Sequence, residues 1–92
     1  MKPLDLSGPF RARVREYPKE TRRKIGLALQ QLERDFGQPH QHRGLGIRKL
    51  TGIFFEIRVG LDIRLVFQNC AECLLFMMAG NHDEVQQFLR GL

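Results

Sequence analysis

From Pro18 onward, apolar residues recur at the spacing of one helix face: Ile25, Leu29, Leu32 and Phe36, with Ala28 filling the stripe. Arg22, Arg23, Lys24, Gln31 and Arg34 fall largely outside it. Gly37 followed by Pro39 stops the pattern. Upstream, "PFRARVREY" predicts a shorter helix with Phe10, Val14 and Tyr17 on one side. Pro18 separates the two helices, a hairpin arrangement. The opening "KPLDL" predicts an edge strand.

After this the periodicity changes. Residues 37–52, "GQPHQHRGLGIRKLTG", are rich in Gly, Pro, His and basic residues and predict a surface loop. Strands are predicted over 53–59, 62–68 and 73–78. The third, "CLLFMM", is continuously apolar, as expected of a strand buried on both faces or central in its sheet. In "GNHDEVQQFLRGL", Asn81 or Asp83 caps a short helix that turns Val85, Phe88 and Leu89 inward. No internal repeat, low-complexity tract or linker interrupts the chain, so residues 1–92 read as a single domain. The order of elements predicts an α+β fold. A helix hairpin packs on one face of a small antiparallel twisted sheet, followed by a short C-terminal helix.

Alternation along "FEIRVGLDIRLVF" fixes a finer detail. Phe55, Ile57 and Val59 share one strand face, and Phe54, Glu56 and Arg58 share the other. In the next strand Ile63, Leu65 and Phe67 match the first set, while Arg64, Val66 and Gln68 match the second. The two apolar sets coincide only if the connecting loop has odd length. A loop of Gly60, Leu61 and Asp62 therefore pairs Val59 with Ile63 and sets Arg58 opposite Arg64. Like charges directly opposed destabilise a sheet by a few tenths of a kcal/mol up to about 1 kcal/mol. An anion between the guanidiniums would convert that repulsion into charge-assisted hydrogen bonds. Alternatively, Glu56 or Asp62 neutralises the arginines on a solvated face.

The charge distribution is compatible with either option. The formal net charge is +5 over 92 residues of which 42% are hydrophobic, a globular composition. Residues 1–50 hold twelve Lys/Arg and five Asp/Glu, whereas residues 51–92 hold three and five. A basic N-terminal half suits a polyanionic partner, nucleic acid or an acidic protein, or else a solvated helix face. No run approaches the roughly 18 apolar residues that span a bilayer, and "MKPLDLSGPF" lacks the apolar core of a signal peptide. A cytoplasmic protein with no membrane partner is expected. Cys70 and Cys73 in "NCAEC" form half of a zinc site with no second pair at finger-like spacing. Apolar strand-like runs on both sides favour hairpin-turn residues over metal or redox use.

Flanking segments add candidates. Arg48 and Lys49 precede the first long strand, and His40, His42 and Arg43 lie in the irregular stretch. His82 follows the third strand, where a chain leaving a sheet can aim a side chain into a groove. An imidazole titrates near neutrality and can serve as acid or base, although a lone histidine at a strand end is often structural. RNA cleavage needs a base for the 2′-hydroxyl, cations for the phosphorane and an acid for the leaving 5′-oxygen. Two arginines and a histidine meet this need without cofactor or metal. The sequence offers no acidic cluster for Mg²⁺, no nucleophile elbow and no P-loop.

The segments "RKLTGIFFEIRVGLDIRLVFQ" and "AGNHDEVQQFL", with "YPKETRRKI" at the helix hairpin, resemble the RelE/ParE superfamily of bacterial toxin–antitoxin toxins. "L-x-G-x-x-x-E-x-R" is closest to the branch that includes HigB-like toxins. The resemblance implies a microbial-RNase-like α+β fold and metal-independent cleavage of mRNA, often in the ribosomal A site. It also implies a cognate antitoxin partner. Arg58 matches a basic strand residue that contacts or activates the scissile phosphate, and Arg64 matches the arginine that stabilises the phosphorane. His82 falls where some branches place a C-terminal catalytic histidine. Arg48 and Lys49 match residues that hold RNA, and His42 and Arg43 join them as candidate RNA-binding residues. Two departures stand out: Glu56 replaces the lysine of well-known ribosome-dependent members, and no C-terminal tyrosine is present. A different acid–base set is then required, for which His82 with Glu56 is a candidate. The ParE branch, which inhibits DNA gyrase without these residues, and a non-catalytic partner-binding remnant are the alternatives.

Overall fold

Ser7 and Pro9 start the first helix. In the computed structural model, which describes residues 2–36 and 46–92, the Ser7 hydroxyl accepts a hydrogen bond from the Phe10 N–H at 3.2 Å. Proline sits in the first turn, where a missing N–H leaves no helical bond unmade. Helix α1 spans Gly8–Arg15, and Pro18 then caps α2, Lys19–Asp35. Ile25 and Leu32 are buried on α2, with Ala28, Leu29 and Phe36 packed beside them, so the predicted stripe is the buried one.

Five strands follow the order β1-β5-β4-β3-β2: β1 Leu4–Leu6, β2 Arg48–Thr51, β3 Phe54–Val59, β4 Ile63–Asn69 and β5 Leu74–Gly80. Helix α3, His82–Arg90, closes the described chain. The sheet is mixed rather than antiparallel throughout, because β1 runs parallel to β5. Short turns force β2, β3, β4 and β5 to alternate in direction; β1 arrives from far along the chain under no such constraint. Strand β2 lies in the stretch whose composition predicts a loop. Three of its four residues are exposed, so its alternation carries almost no hydrophobic signal.

The β3–β4 hairpin has the register required by parity: Phe55 faces Phe67, Ile57 faces Leu65, Val59 faces Ile63, and Arg58 faces Arg64. Gly60 opens the three-residue loop at φ +67°, a backbone conformation that other residues adopt with strain. Between β4 and β5 the register slips once. Phe67 pairs with Phe76 but Val66 pairs with Met78, leaving Met77 as an extra residue. The bulge reverses the facing of β5, so Leu74, Phe76 and Ala79 all join the core although their numbers do not share parity.

That core lies between the helix hairpin and the sheet. Phe67 is at its centre, 5.0 Å from the ring of Phe76 and 5.6 Å from that of Phe55, with Phe36 edge-on at 5.7 Å. Helix α3 packs on the opposite face, where Val66 and Val85 are buried and the rings of Phe54 and Phe88 lie 6.2 Å apart. Helices therefore cover both faces, not the single face expected, because Phe54 and Val66 put apolar surface on the polar side of the hairpin. Cys70 and Cys73 flank the β4–β5 turn, with the Cys70 N–H donating to the Cys73 carbonyl at 2.9 Å and both thiols free. Burial and the neighbouring Cys70 push the Cys73 thiol up. No helix among the described residues is long and apolar enough to cross a membrane.

Candidate phosphate-binding site

Three strands bring one carboxylate and three guanidiniums to the sheet face that α3 only partly covers. Glu56, in the middle of β3, is 2% exposed and is the only buried charged residue among those described. Its β2 neighbour in register is Arg48, and across β4 Arg64 pairs with Arg58, two residues further along β3. Glu56 Oε2 lies 3.4 Å from Arg64 Nε and 3.9 Å from Arg48 Nε. Exposure is graded: the Glu56 side chain is 3% exposed, that of Arg64 16% and that of Arg48 60%. A buried carboxylate thus anchors a mostly covered guanidinium, Arg64, and lies near an exposed one, Arg48. Arg58 is exposed and has no ion-pair partner among the described residues.

The site therefore answers both options left by parity. Glu56 does partly neutralise the cluster, through Arg64 and Arg48 rather than through Arg58. The positive charge still exceeds the negative, three to one among these strand residues, and the surplus is at the exposed end. Lys49 pairs with Phe55 in register and so occupies the opposite face from Arg48; the structure does not bring it into the cluster. His42 and Arg43, like His40, lie outside the described residues.

His82 is the first residue of α3 and is exposed. Its position is set by neighbours. Gly80, the last residue of β5, stands opposite Arg64 in register, and Asn81 caps the helix. The capping box is complete: the Glu84 N–H donates to Asn81 Oδ1 at 2.9 Å, and the Asn81 N–H donates to Glu84 Oε1 at 2.9 Å. Arg13 of α1 donates to Glu84 Oε2 at 2.5 Å, tying the start of α3 to the helix hairpin. The Asn81 N–H and then the Arg13 guanidinium hold the Glu84 carboxyl below the usual range, against the opposing effect of its desolvation. A β-carbon on Gly80 would lie 3.0 Å from Glu84 Cβ and 2.9 Å from its Oε1, so only glycine lets this turn close on the strand.

Glu84, Arg13 and Gly80 escape the sequence reading. "N-H-D-E" carries the capping-box signal, Asn with Glu three residues on, and would have revealed Glu84. Arg13 reaches it across 71 residues of sequence and leaves no local trace. Among the described residues no group of three or more His, Cys, Asp and Glu side chains is arranged to hold a metal ion.

No family model matches the sequence, and neither does any curated protein. Solved structures do resemble it. The RelB–RelE antitoxin–toxin complex from Methanococcus jannaschii superposes with a TM-score of 0.72 at 15% identity, over 91% of this chain and 96% of the other. The archaeal RelE–RelB complex from Pyrococcus horikoshii gives 0.69 at 16% identity, over 87% and 93%. The isolated E. coli RelE toxin gives 0.66 at 15% identity, with both chains covered in full. The chain has the α+β fold of the RelE-type toxins.

Proposed function

We propose that this chain is the toxin of a type II toxin–antitoxin system and cleaves mRNA by metal-independent acid–base chemistry at the ribosome, in the cytoplasm. The observation that carries this reading is the buried Glu56 fixing Arg64 beside an unneutralised Arg58. A stability-driven sheet has no use for opposed arginines, whereas a phosphate gains from both.

In this mechanism Arg64, held in place before substrate arrives, stabilises the charge that grows on the phosphorane oxygens. Arg58 grips the same or the adjacent phosphate. His82 moves the proton, taking it from the 2′-hydroxyl or giving one to the leaving 5′-oxygen. Glu56 orients Arg64 and keeps its charge from repelling Arg58; its burial favours this over direct proton transfer. Arg48 extends the basic surface along the RNA, with His42 and Arg43 as further RNA contacts, whereas Lys49, on the other face of β2, takes no part. The RelE-like fold, seen with RelB in two of the solved complexes, supports a protein antitoxin as partner.

The test is induction of wild type, Arg64→Ala and His82→Gln in cells, followed by mapping of mRNA 5′ ends and of DNA breaks. Wild type is expected to cut mRNA, Arg64→Ala to lose cutting, and His82→Gln to lose about 10²–10⁴ of the rate, the usual worth of a general acid or base. Intact mRNA accompanied by DNA damage would refute the nuclease and favour gyrase inhibition.

A further inference from the structure

A second cleft of about 260 Å³ opens beside the site, lined by Lys24, Leu27, Ala28 and Gln31 of α2 and by Arg58, Val59 and Gly60. The α2 residues recur at one-face spacing, so a single helix side forms the wall. Ala28 and Val59 give it a short apolar floor, and Lys24, Gln31 and Arg58 supply the polar groups. Glu20, the nearest acidic residue on the helix, is bonded through both oxygens to Arg23, at 2.7 and 3.1 Å, and reaches Lys24 only at longer range. Among the described residues neither Lys24 nor Arg58 has an ion-pair partner within 4.0 Å.

The cleft and the site share Arg58. Its side chain leaves the strand on the face of Arg64, and the residue also borders the cleft beside Val59 and Gly60, where the hairpin meets α2. A chain of phosphates laid on Arg64 and Arg58 would continue around the hairpin onto Lys24, and no acidic residue lines the cleft it enters. The volume is below the roughly 300–1,000 Å³ of sites that enclose a whole small molecule. No aromatic ring lines it, so it offers no stacking platform for a base. What fits is a phosphodiester group gripped by two cations and an amide.

We propose that Lys24, Gln31 and Arg58 form a second phosphate subsite that holds the backbone of a single strand next to the reacting phosphate. This rests on the nuclease reading of the Arg64 site and extends it: the substrate is a strand several nucleotides long, and the subsite contributes affinity without sequence preference.

The test is fluorescence anisotropy with labelled single-stranded DNA, which lacks the 2′-hydroxyl and is not cut. A dinucleotide and octanucleotides of dA, dC and dT are titrated into wild type, Lys24→Gln and Arg90→Gln at several salt concentrations. Each phosphate contact to a single strand contributes about 0.7 to the slope of log affinity against log salt. Lys24→Gln is expected to lower that slope by about 0.7 for every octanucleotide and to leave the dinucleotide unchanged; Arg90→Gln, losing the same charge outside the cleft, should alter neither. An octanucleotide that wild type does not bind, or a Lys24→Gln slope matching wild type or Arg90→Gln, overturns the subsite. So does weaker binding of poly-glutamate with unchanged DNA binding, which would make the cleft a protein contact. A lowered slope in a protein that leaves RNA intact would keep the subsite and remove the nuclease; RNA cleavage with an unchanged slope would do the reverse.

Discussion

Replacing Glu56 by glutamine removes one charge from the floor of the site and almost nothing from its volume. The consequence follows from geometry. At 3.4 Å, the Glu56–Arg64 attraction is about 5 kcal/mol for an effective dielectric constant near 20. Desolvation of the two groups offsets most of this, so the pair itself adds little net stability. What the substitution exposes is the cost of leaving Arg64 covered without a counter-charge. Removing one partner of a fully buried pair costs about 3–5 kcal/mol. Arg64 keeps 16% of its side chain in water and so recovers part of that, which points to about 2–3 kcal/mol. Arg48, 60% exposed and 3.9 Å from the carboxylate, adds a few tenths at most.

For a domain of this size, each kcal/mol shifts Tm by about 4–8 °C, so Glu56→Gln should melt on the order of 10–20 °C below wild type. Urea unfolding at pH 7 of wild type, both single variants and Glu56→Gln/Arg64→Gln tests the cause. The double variant should lose at least about 1 kcal/mol less than the sum of the singles, the mark of a shared interaction. A Glu56→Gln protein within about 0.5 kcal/mol of wild type, or strict additivity, would refute the anchoring role. The same variant separates that role from proton transfer. With its carboxylate gone, Arg64 should bind oligonucleotides more tightly while RNA cleavage stays within about tenfold. A loss of 10²-fold or more with tighter binding would instead make Glu56 the base.

Two further predictions concern the start of α3. Gly80→Ala forces Glu84 to move, because its Cβ stands only 3.0 Å from the new methyl group and is fixed to the helix, whereas its Oε1 could swing away. Loss of the capping box and local overpacking should cost about 1–3 kcal/mol in chemical denaturation; a neutral Gly80→Ala, or one that costs as much in a Glu84→Gly background, which has no Cβ to clash, would refute the contact. The second is a pH dependence. The Glu84 carboxyl is held below its ordinary 4.5, so its stabilising contribution is complete above that value and fades as pH falls through the lower folded value. The Tm difference between wild type and Glu84→Gln should therefore be largest near pH 6–7 and shrink below about pH 4.5. With the side chain 39% exposed the difference is a small one, and a gap that widens in acid would contradict it.

The parts of this molecule legible in the sequence are those that one face of one element determines. The α2 stripe from Ile25 to Phe36 and the hairpin register from Phe55 to Phe67 needed only period and parity, and parity alone set Arg58 against Arg64. Relations between distant elements were not legible. Strand β2 has hardly any buried residue to announce it, and the direction of β1 depends on a partner 70 residues away. The burial of Glu56 was hidden for the same reason. A carboxylate on a polar strand face reads as solvated until β2, β4 and α3 are known to surround it.

One irregularity decides how the two halves of the site meet. If β5 kept strict alternation beyond Phe76, Arg64 would face Ala79, and Gly80 would point into the core beside Ile63. A methyl group would then occupy the place where Gly80 now admits Glu84 at contact distance, and the capping box could not close there. The extra residue at Met77 shifts the register by one. It puts Ala79 into the core, Gly80 opposite Arg64, and the N-terminus of α3, with His82, at the end of the arginine pair. The sequence marks the bulge only by a continuously apolar run, "LLFMMA", whose residues satisfy either face. That lack of alternation is what allows the slip, since no polar side chain is forced inward by it. The bulge is thus a determinant of site geometry in its own right. Deleting Met77 should leave Gly80 opposite Arg64 in an unbulged ladder, whereas one further residue inserted after Phe76 and accommodated without a bulge would preserve every charged residue discussed here and still misplace His82 relative to Arg64.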